Sequence, residues 1–238
     1  YKDLKPVNWC GTCETALAEA EVEYEEKRSP SIYVKFKSAR DGASFIIWTT
    51  TPWTLVANAA IAVRPEFDYA FVRVGEPKFR DETFIVAKDL AGPAMAKAGI
   101  KDFKILKVVK GKELEGMEAA HPFVDRAAKV VLAGYVSSDE GTGCVHIAPG
   151  HGQEDYLTGR EYSLPTIMPV DPKGIFDKTA GEFSGMDIYK ANKAIVELLK
   201  SRGSLVCEEE VAHSYPHCWR CKKPVIFRAT EQYFMKMD

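Results

Sequence analysis

The sequence predicts a β-rich α+β fold: a β-barrel core with peripheral helices, plus a small zinc-ribbon-like neck that joins the two chain ends. Three observations carry this. Short apolar runs rich in Val, Ile, Phe and Tyr follow one another, separated by Gly, Pro or Asp turns. Helical periodicity is rare, so the runs suit a closed or nearly closed sheet better than βαβ repeats. Finally, a C-x-x-C pair stands near each end of the chain, Cys10 with Cys13 and Cys218 with Cys221. The expected division is a neck of residues 1–30 and 205–238 around a barrel body of 31–204.

In chain order, TALAEAEVEYEE (15–26) is rich in helix formers yet alternates from Ala20 to Tyr24, so it reads as either helix or strand. Strands are expected at 31–36, 44–50, 60–65, 69–74 and 82–88. DLAGPAMAKAG (89–99) is a weak helix, broken by Gly92 and Pro93. Strands resume at 103–111, 129–136 and 143–149. QEDYLTGREY reads as a helix with Gln153, Glu154 and Asp155 in its first turn. ANKAIVELLKSRG (191–203) places Ile195, Leu198 and Leu199 on one face and stops at Gly203.

With 46% hydrophobic and 28% charged residues, the 238-residue chain has an ordinary globular composition. No apolar run approaches the length of a membrane span, and YKDLKPVNWC lacks the apolar core of a signal peptide. A start at Tyr1 and an end in EQYFMKMD predict a segment of a longer polypeptide. The net charge of −2 disfavours a dedicated nucleic-acid binder; RCKK (220–223) supports only a modest, salt-sensitive contact.

Two thiolates three residues apart grip one metal ion and leave two tetrahedral positions for a second pair. Cys10, Cys13, Cys218 and Cys221 therefore predict a closed, structural zinc site that clamps the chain ends. Unrelated thiol pairs are the alternative; a redox pair fits poorly, because no thioredoxin-like βαβ unit surrounds either. Cys207 reads as a core residue at a strand edge.

The stretch IIWTTTPWTL (46–55) ends a buried strand in Thr49, Thr50 and Thr51, then Pro52. Proline suits a first helical position and Thr51 an N-cap, so a short helix from Pro52 to about Ala57 is expected. Alternation puts Thr49 and Thr51 on one side and Thr50 on the other. Their hydroxyls would meet the free N–H groups of a helix start, a place for a carbonyl or a ribose hydroxyl. In GTGCVHIAPGHGQEDY (141–156), Cys144, His146 and Ala148 share a face, and PGHG turns sharply into the helix that carries Asp155. Three chemistries remain open: a Cys144–His146 thiol nucleophile, disfavoured because nothing orients the imidazole; a metal site of His146, His151 and Asp155; and a pocket without nucleophile or metal. In the last, Asp155 pairs with a ligand ammonium, His146 limits size, and the threonine hydroxyls position a water and a scissile carbonyl.

WTTTPWTL followed by AN, GTGCVHIAPGHGQEDY, and HCWRCKKPVIFRATEQYF resemble the isoleucyl-tRNA synthetase family. The likeness is to the inserted editing domain that interrupts the class I catalytic fold, and it runs from PVNWC to ATEQYF. Thr51-Pro52-Trp53 stands where valyl and leucyl relatives carry an arginine soon after paired threonines. Val56 stands where the family usually has proline. The resemblance implies a β-barrel-rich editing domain that hydrolyses valine wrongly attached to isoleucine tRNA, and valyl adenylate, while refusing isoleucine. It implies that Thr49, Thr50 and Thr51 belong to the editing pocket, with Asn58 following them. It makes His146 the bar to a larger side chain and Asp155 the holder of the α-ammonium. Trp48 and Trp53 frame the terminal adenosine or pack beneath it, and the four cysteines form a zinc neck. Beyond that structural zinc, no cofactor is implied for the editing chemistry. The partners implied are the tRNA acceptor end carrying valine, valyl adenylate and the rest of the synthetase, in a cytoplasmic, monomeric protein with no membrane contact. A non-catalytic module for the tRNA acceptor end and the metal-dependent hydrolase remain as alternatives. The fragment shows neither signature of class I aminoacylation.

Overall fold

The computed structural model describes residues 1–235; the last three residues of the expected neck lie outside the described residues. The strands are β1 (Lys2–Cys10), β2 (Thr15–Leu17), β3 (Val22–Ser38), β4 (Ser44–Thr49), β5 (Ala60–Val63), β6 (Asp68–Val74), β7 (Thr83–Ala87), β8 (Phe103–Lys110), β9 (Glu118–Ala120), β10 (Ala127–Leu132), β11 (Cys144–Ile147), β12 (Leu205–Cys218) and β13 (Ile226–Tyr233). The helices are α1 (Lys88–Lys97), α2 (Gln153–Glu161) and α3 (Ile188–Ser201).

Ten strands form one mixed sheet in the order β11-β5-β10-β9-β3-β4-β7-β6-β8, with β12 added on β3; β13-β1-β2 form a second sheet. Of the closed or nearly closed sheet expected, the described residues form the open variant, with no strand ladder joining β11 to β8. The large sheet curls instead. The Ala87 N–H donates to Thr142 O across 2.8 Å, bringing the turn before β11 against the end of β7. Two glycines make this approach possible. Gly141 and Gly143 have φ of +78° and +72°. A Cβ at Gly141 would sit 2.8 Å from Trp48 Cε3, and one at Gly143 2.4 Å from the Ala87 Cβ. The main core fills the curl with Ile32, Val34, Phe36, Phe45, Ile47, Ile61, Ile85 and Val130.

The long strands β3 and β12 pair antiparallel from Val34 opposite Leu205 to Val22 opposite Cys218. They make a ribbon that runs from the core to the cysteines. The ambiguous stretch at 15–26 becomes β2, a short 3₁₀ turn at Glu19–Glu21 and the start of β3. Tertiary pairing with β1 and β12 decides it against a helix. α1 is continuous through Pro93. Gly92 and Pro93 lie on its exposed side, and the carbonyl that the missing N–H leaves free belongs to exposed Asp89. α3 is capped by the Asp187 carboxylate, which accepts from the N–H groups of Tyr189 and Lys190, and it buries Ile188, Ala191, Ile195, Val196 and Leu199.

Candidate active site

β4 ends at Thr49, and a 3₁₀ turn, Pro52–Ala57, begins with proline at its first position as the sequence predicts. The capping expected of Thr51 is corrected: its side chain makes no cap bond. Instead Thr49 Oγ1 accepts from the Thr51 N–H at 3.0 Å. Nor is the helix start open to a ligand. Asn192, reaching across from α3, accepts from the Trp53 N–H at 2.9 Å. Thr51 has φ −130° and ψ 69°, outside the strand and helix regions, so strict alternation stops there. All three threonines consequently face one cavity of about 450 Å³.

That cavity is also lined by Trp48, Trp53, Thr54, His146, His151 and Asp155. A further wall comes from His213, Ser214, Tyr215 and Pro216 on β12. β11 supplies His146 and the first turn of α2 supplies Asp155, held by the PGHG turn between them. Asn58 is placed otherwise than expected. It is fully buried and absent from the lining; its Nδ2 donates to Ala60 O at 2.8 Å and reaches His146 Nδ1 at 3.4 Å.

The hydrogen bonds fix the state of His146. Thr54 Oγ1 donates its one proton to Thr51 O at 2.8 Å. It therefore accepts from His146 Nε2–H at 2.9 Å, and Nδ1, unprotonated, accepts from Asn58. Burial, with His151 nearby, pushes its pKa down to about 4, so the ring is neutral with both nitrogens engaged. His151 is also neutral: burial brings it down to about 4, and its Nδ1–H donates to Phe227 O at 3.0 Å. Its Nε2 has no protein partner among the described residues. His151 also packs edge-on against Trp53, with ring centroids 4.7 Å apart.

Asp155 Oδ2 accepts from the Ala148 N–H at 2.9 Å, leaving its other oxygen for a ligand. Burial raises the carboxyl pKa to about 6 despite that bond. The cavity thus offers one anion, a row of hydroxyls and an aromatic floor. Neither alternative chemistry finds a site. Cys144 is wholly buried, its thiol pushed up by burial, and its Sγ points to Ile85 O at 3.7 Å. Among the described residues the four neck cysteines are the one group able to hold a metal, so His146, His151 and Asp155 do not converge as ligands.

The sequence reading missed Thr54 and the β12 wall. Thr54 stands three residues after Thr51, the spacing of one 3₁₀ turn, which is the signal that it answers Thr51 O. The wall carried no local signal, because β12 reaches the cavity only through its pairing with β3.

In the neck, the ligand atoms of Cys10, Cys13, Cys218 and Cys221 all lie within 4.8 Å of one another. A tetrahedron with Zn–S of about 2.3 Å has an edge of roughly 3.8 Å, so the cluster could hold such an ion. The Cys13 N–H points at Cys10 Sγ (3.3 Å), and Cys10 Sγ lies 3.4 Å from Cys221 Sγ. Burial pushes the Cys10 thiol up to about 12. Against the same upward pull, backbone N–H groups of Cys221 and Arg220 bring Cys218 down to about 7. Cys207 packs beside the smaller core cluster of Tyr33 and Val206.

The family model "tRNA synthetases class I (I, L, M and V)" matches residues 1–238. The isoleucine–tRNA ligase of Petrotoga mobilis is 56% identical over 239 residues, covering 100% of this chain and 26% of that protein. Those of Kosmotoga olearia and Thermotoga maritima are 55% and 54% identical, again over the whole chain and 25% and 26% of their own lengths. The chain thus spans about a quarter of these relatives. A crystal structure of GlLeuRS-CP1 superposes with a TM-score of 0.57 at 16% identity, over 78% of this chain and 99% of that one, and so shares the fold. No helix among the described residues is long and apolar enough to cross a membrane. The curled sheet, the cysteine clamp and the match along the full sequence lead to one conclusion: the chain belongs to the class I tRNA synthetase family of the I, L, M and V enzymes.

Proposed function

We propose that this chain is the editing domain of an isoleucine–tRNA ligase, hydrolysing valyl-tRNA and valyl adenylate and sparing isoleucyl esters. The observation that carries the reading is the meeting of Thr49, Thr50, Thr51, His146 and Asp155 around one cavity. In a hydrophobic pocket one methylene is worth only about 1–3 kcal/mol, a generalisation for which isoleucyl enzymes are themselves the stock example. A second pocket that refuses the larger side chain supplies the missing discrimination.

In this mechanism the free oxygen of Asp155 takes the α-ammonium, and the gain of that partner keeps the carboxylate ionised. His146, neutral and tied on both sides, cannot take a proton; it acts as a fixed wall beside the side-chain slot. Asn58 and Thr54 hold that wall in place. The threonine hydroxyls position the water and the ester carbonyl, and Trp48 and Trp53 flank the adenosine. The water attacks the carbonyl carbon, the ribose oxygen leaves with a proton, and valine and the free ribose hydroxyl result. Rate enhancement comes from position rather than from a tuned base, with a ribose hydroxyl of the tRNA assisting.

We further propose that Cys10, Cys13, Cys218 and Cys221 hold a structural zinc ion, in a neck of residues 1–30 and 205–238 that carries the 31–204 body on the rest of the synthetase. Zinc there neutralises thiolates that would otherwise repel one another.

The test is deacylation of valyl-tRNA and isoleucyl-tRNA by the intact synthetase. Turnover of the valyl ester with the isoleucyl ester spared is the expected result. Tight binding of the acceptor end without turnover would reduce the domain to a binding module. Activity lost on chelation and restored only by metal would favour a metal hydrolase.

A further inference from the structure

Beside the cavity, Lys27 is half-buried, and burial lowers its pKa. Its Nζ lies 4.3 Å from the Tyr215 ring centroid and 4.6 Å from that of Tyr189. Among the described residues it has no carboxylate within ion-pair distance, although Glu23, Glu25 and Glu26 stand on the same strand. A half-sequestered ammonium of this kind keeps its charge for a ligand, and the two rings hold it in place.

Its position defines a path. Alternate residues of a strand share a face, so Lys27, Ser29 and Ser31 of β3 point the same way. Each has a neighbour from another strand. Trp48 Nε1 donates to Ser31 Oγ at 2.7 Å, His213 Nε2 lies 2.9 Å from Ser29 Oγ, and Tyr215 lies under Lys27. Trp48, His213 and Tyr215 all line the threonine cavity. Two residues of strand advance about 6.6 Å, a step of the order of one extended nucleotide. Beyond Lys27, Tyr189 lines a second cavity of about 210 Å³ together with Lys173, Lys223 and Asp187, whose carboxylate is engaged in capping α3, and Ile226 borders both cavities. Flat aromatic and imidazole faces, hydroxyls and then cations make the sequence of groups that takes a single-stranded nucleic-acid end.

We propose that Lys27, clamped by Tyr189 and Tyr215, is the first phosphodiester contact of a single-stranded RNA end whose terminal nucleoside occupies the threonine cavity, and that the strand leaves past Lys173 and Lys223. The placement rests on the editing reading for the identity of the strand. Lys27 itself takes no part in the ester chemistry; it is a binding residue for the backbone.

The test compares the intact wild-type synthetase with Lys27→Met, which keeps an unbranched apolar stem between the rings and removes the charge. Two probes are titrated, an unesterified trinucleotide ending in adenosine and adenosine alone, so the measurement does not depend on hydrolysis. Lys27→Met is expected to weaken the trinucleotide about 10-fold and to make its log–log salt slope shallower by about 0.7. Adenosine binding stays where it was, and Lys27→Arg restores the trinucleotide. Unchanged trinucleotide affinity and salt slope in a folded Lys27→Met would overturn the proposal and leave Lys27 a packing residue. Equal weakening of both probes would overturn it too, since Lys27 would then be shaping the cavity wall. A synthetase that binds both probes as expected but never hydrolyses a valyl ester would sink the editing reading and leave the phosphate contact standing.

Discussion

At the neck the protein gathers four thiols of one kind; in the cavity it gathers unlike groups and keeps most of them neutral. The difference shows in their protonation. Burial pushes Cys10 up to about 12, while backbone N–H groups bring Cys218 down to about 7. In the cavity, His146 and His151 are each brought to about 4 and carry no charge near neutrality, while Asp155, raised to about 6, is the one anion. On the proposed reading the neck takes an added positive charge from outside. In the cavity both histidines are hydrogen-bonded within the protein, while one carboxylate oxygen of Asp155, His151 Nε2 and the Thr50 and Thr51 hydroxyls have no protein partner among the described residues. The proposed structural metal and the proposed exchanging ligand would place these different demands on the same chain.

The sharpest way to break the comparison is to remove the anion. Asp155→Ala should lower valyl-tRNA deacylation at least about 100-fold without unfolding the domain, read by single-turnover hydrolysis alongside circular dichroism. Asp155→Asn should be equally inactive yet more stable above pH 7, by about 2–3 kcal/mol. The sign follows from the raised carboxyl: its stabilising contribution is whole below the ordinary aspartate pKa near 4 and is lost as pH rises through about 6. An Asp155→Asn enzyme that still turns over would take Asp155 out of the site.

The wall comes next. His146→Ala should raise isoleucyl-tRNA hydrolysis by about 10–200-fold, the range one methylene commands; a mutant that still spares isoleucyl-tRNA would show that size is judged elsewhere. At the neck, chelation or Cys10→Ser should lower the melting temperature by about 10 °C while the hydrolysis rate of a small valyl-adenosine ester is retained. Parallel loss of both would show that the neck supports the cavity through Val225, which packs against the cysteines and lines the cavity. The smallest effect is expected from Thr54→Val. It removes the acceptor for His146 Nε2–H and should cost about 1–3 kcal/mol of stability, with discrimination against isoleucine slackening as the ring loses its anchor. Calorimetry and paired deacylation rates read both.

The body of the fold was legible where one face of a strand is buried and the other packed. The runs at 44–50, 60–65, 69–74 and 82–88 became β4 to β7 with shifts of a residue or two at their ends. The ends of the chain were less legible. β12 reads LVCEEEVAHSYPHC, with burial alternating between partial and none along most of its length, since a two-stranded ribbon has water on both sides. Its strand character comes from register with β3, which no local pattern announces. In the site, the threonine row, His146 and Asp155 could be picked out as a constellation, but Asn58 could not be told from a lining residue, and the helix start that reads as open to a ligand is taken by Asn192.

By itself the sequence determined the chemistry on offer: paired thiols with metal spacing, hydroxyls ahead of a proline, and a histidine and an aspartate either side of a tight turn. Those are properties of side chains and of the few backbone angles that proline and glycine permit. Only the tertiary structure decided which of these meet. The curl permitted by Gly141 and Gly143 carries the end of the sheet that bears His146 round to the threonines. The β3–β12 ribbon lays Tyr215 along the same cavity, and the pairing of β1 with β13, Trp9 opposite Ile226, brings the two distant thiol pairs together. Long-range pairing and close approach have no local signature, because their free energy comes from burying surfaces that are far apart in the chain.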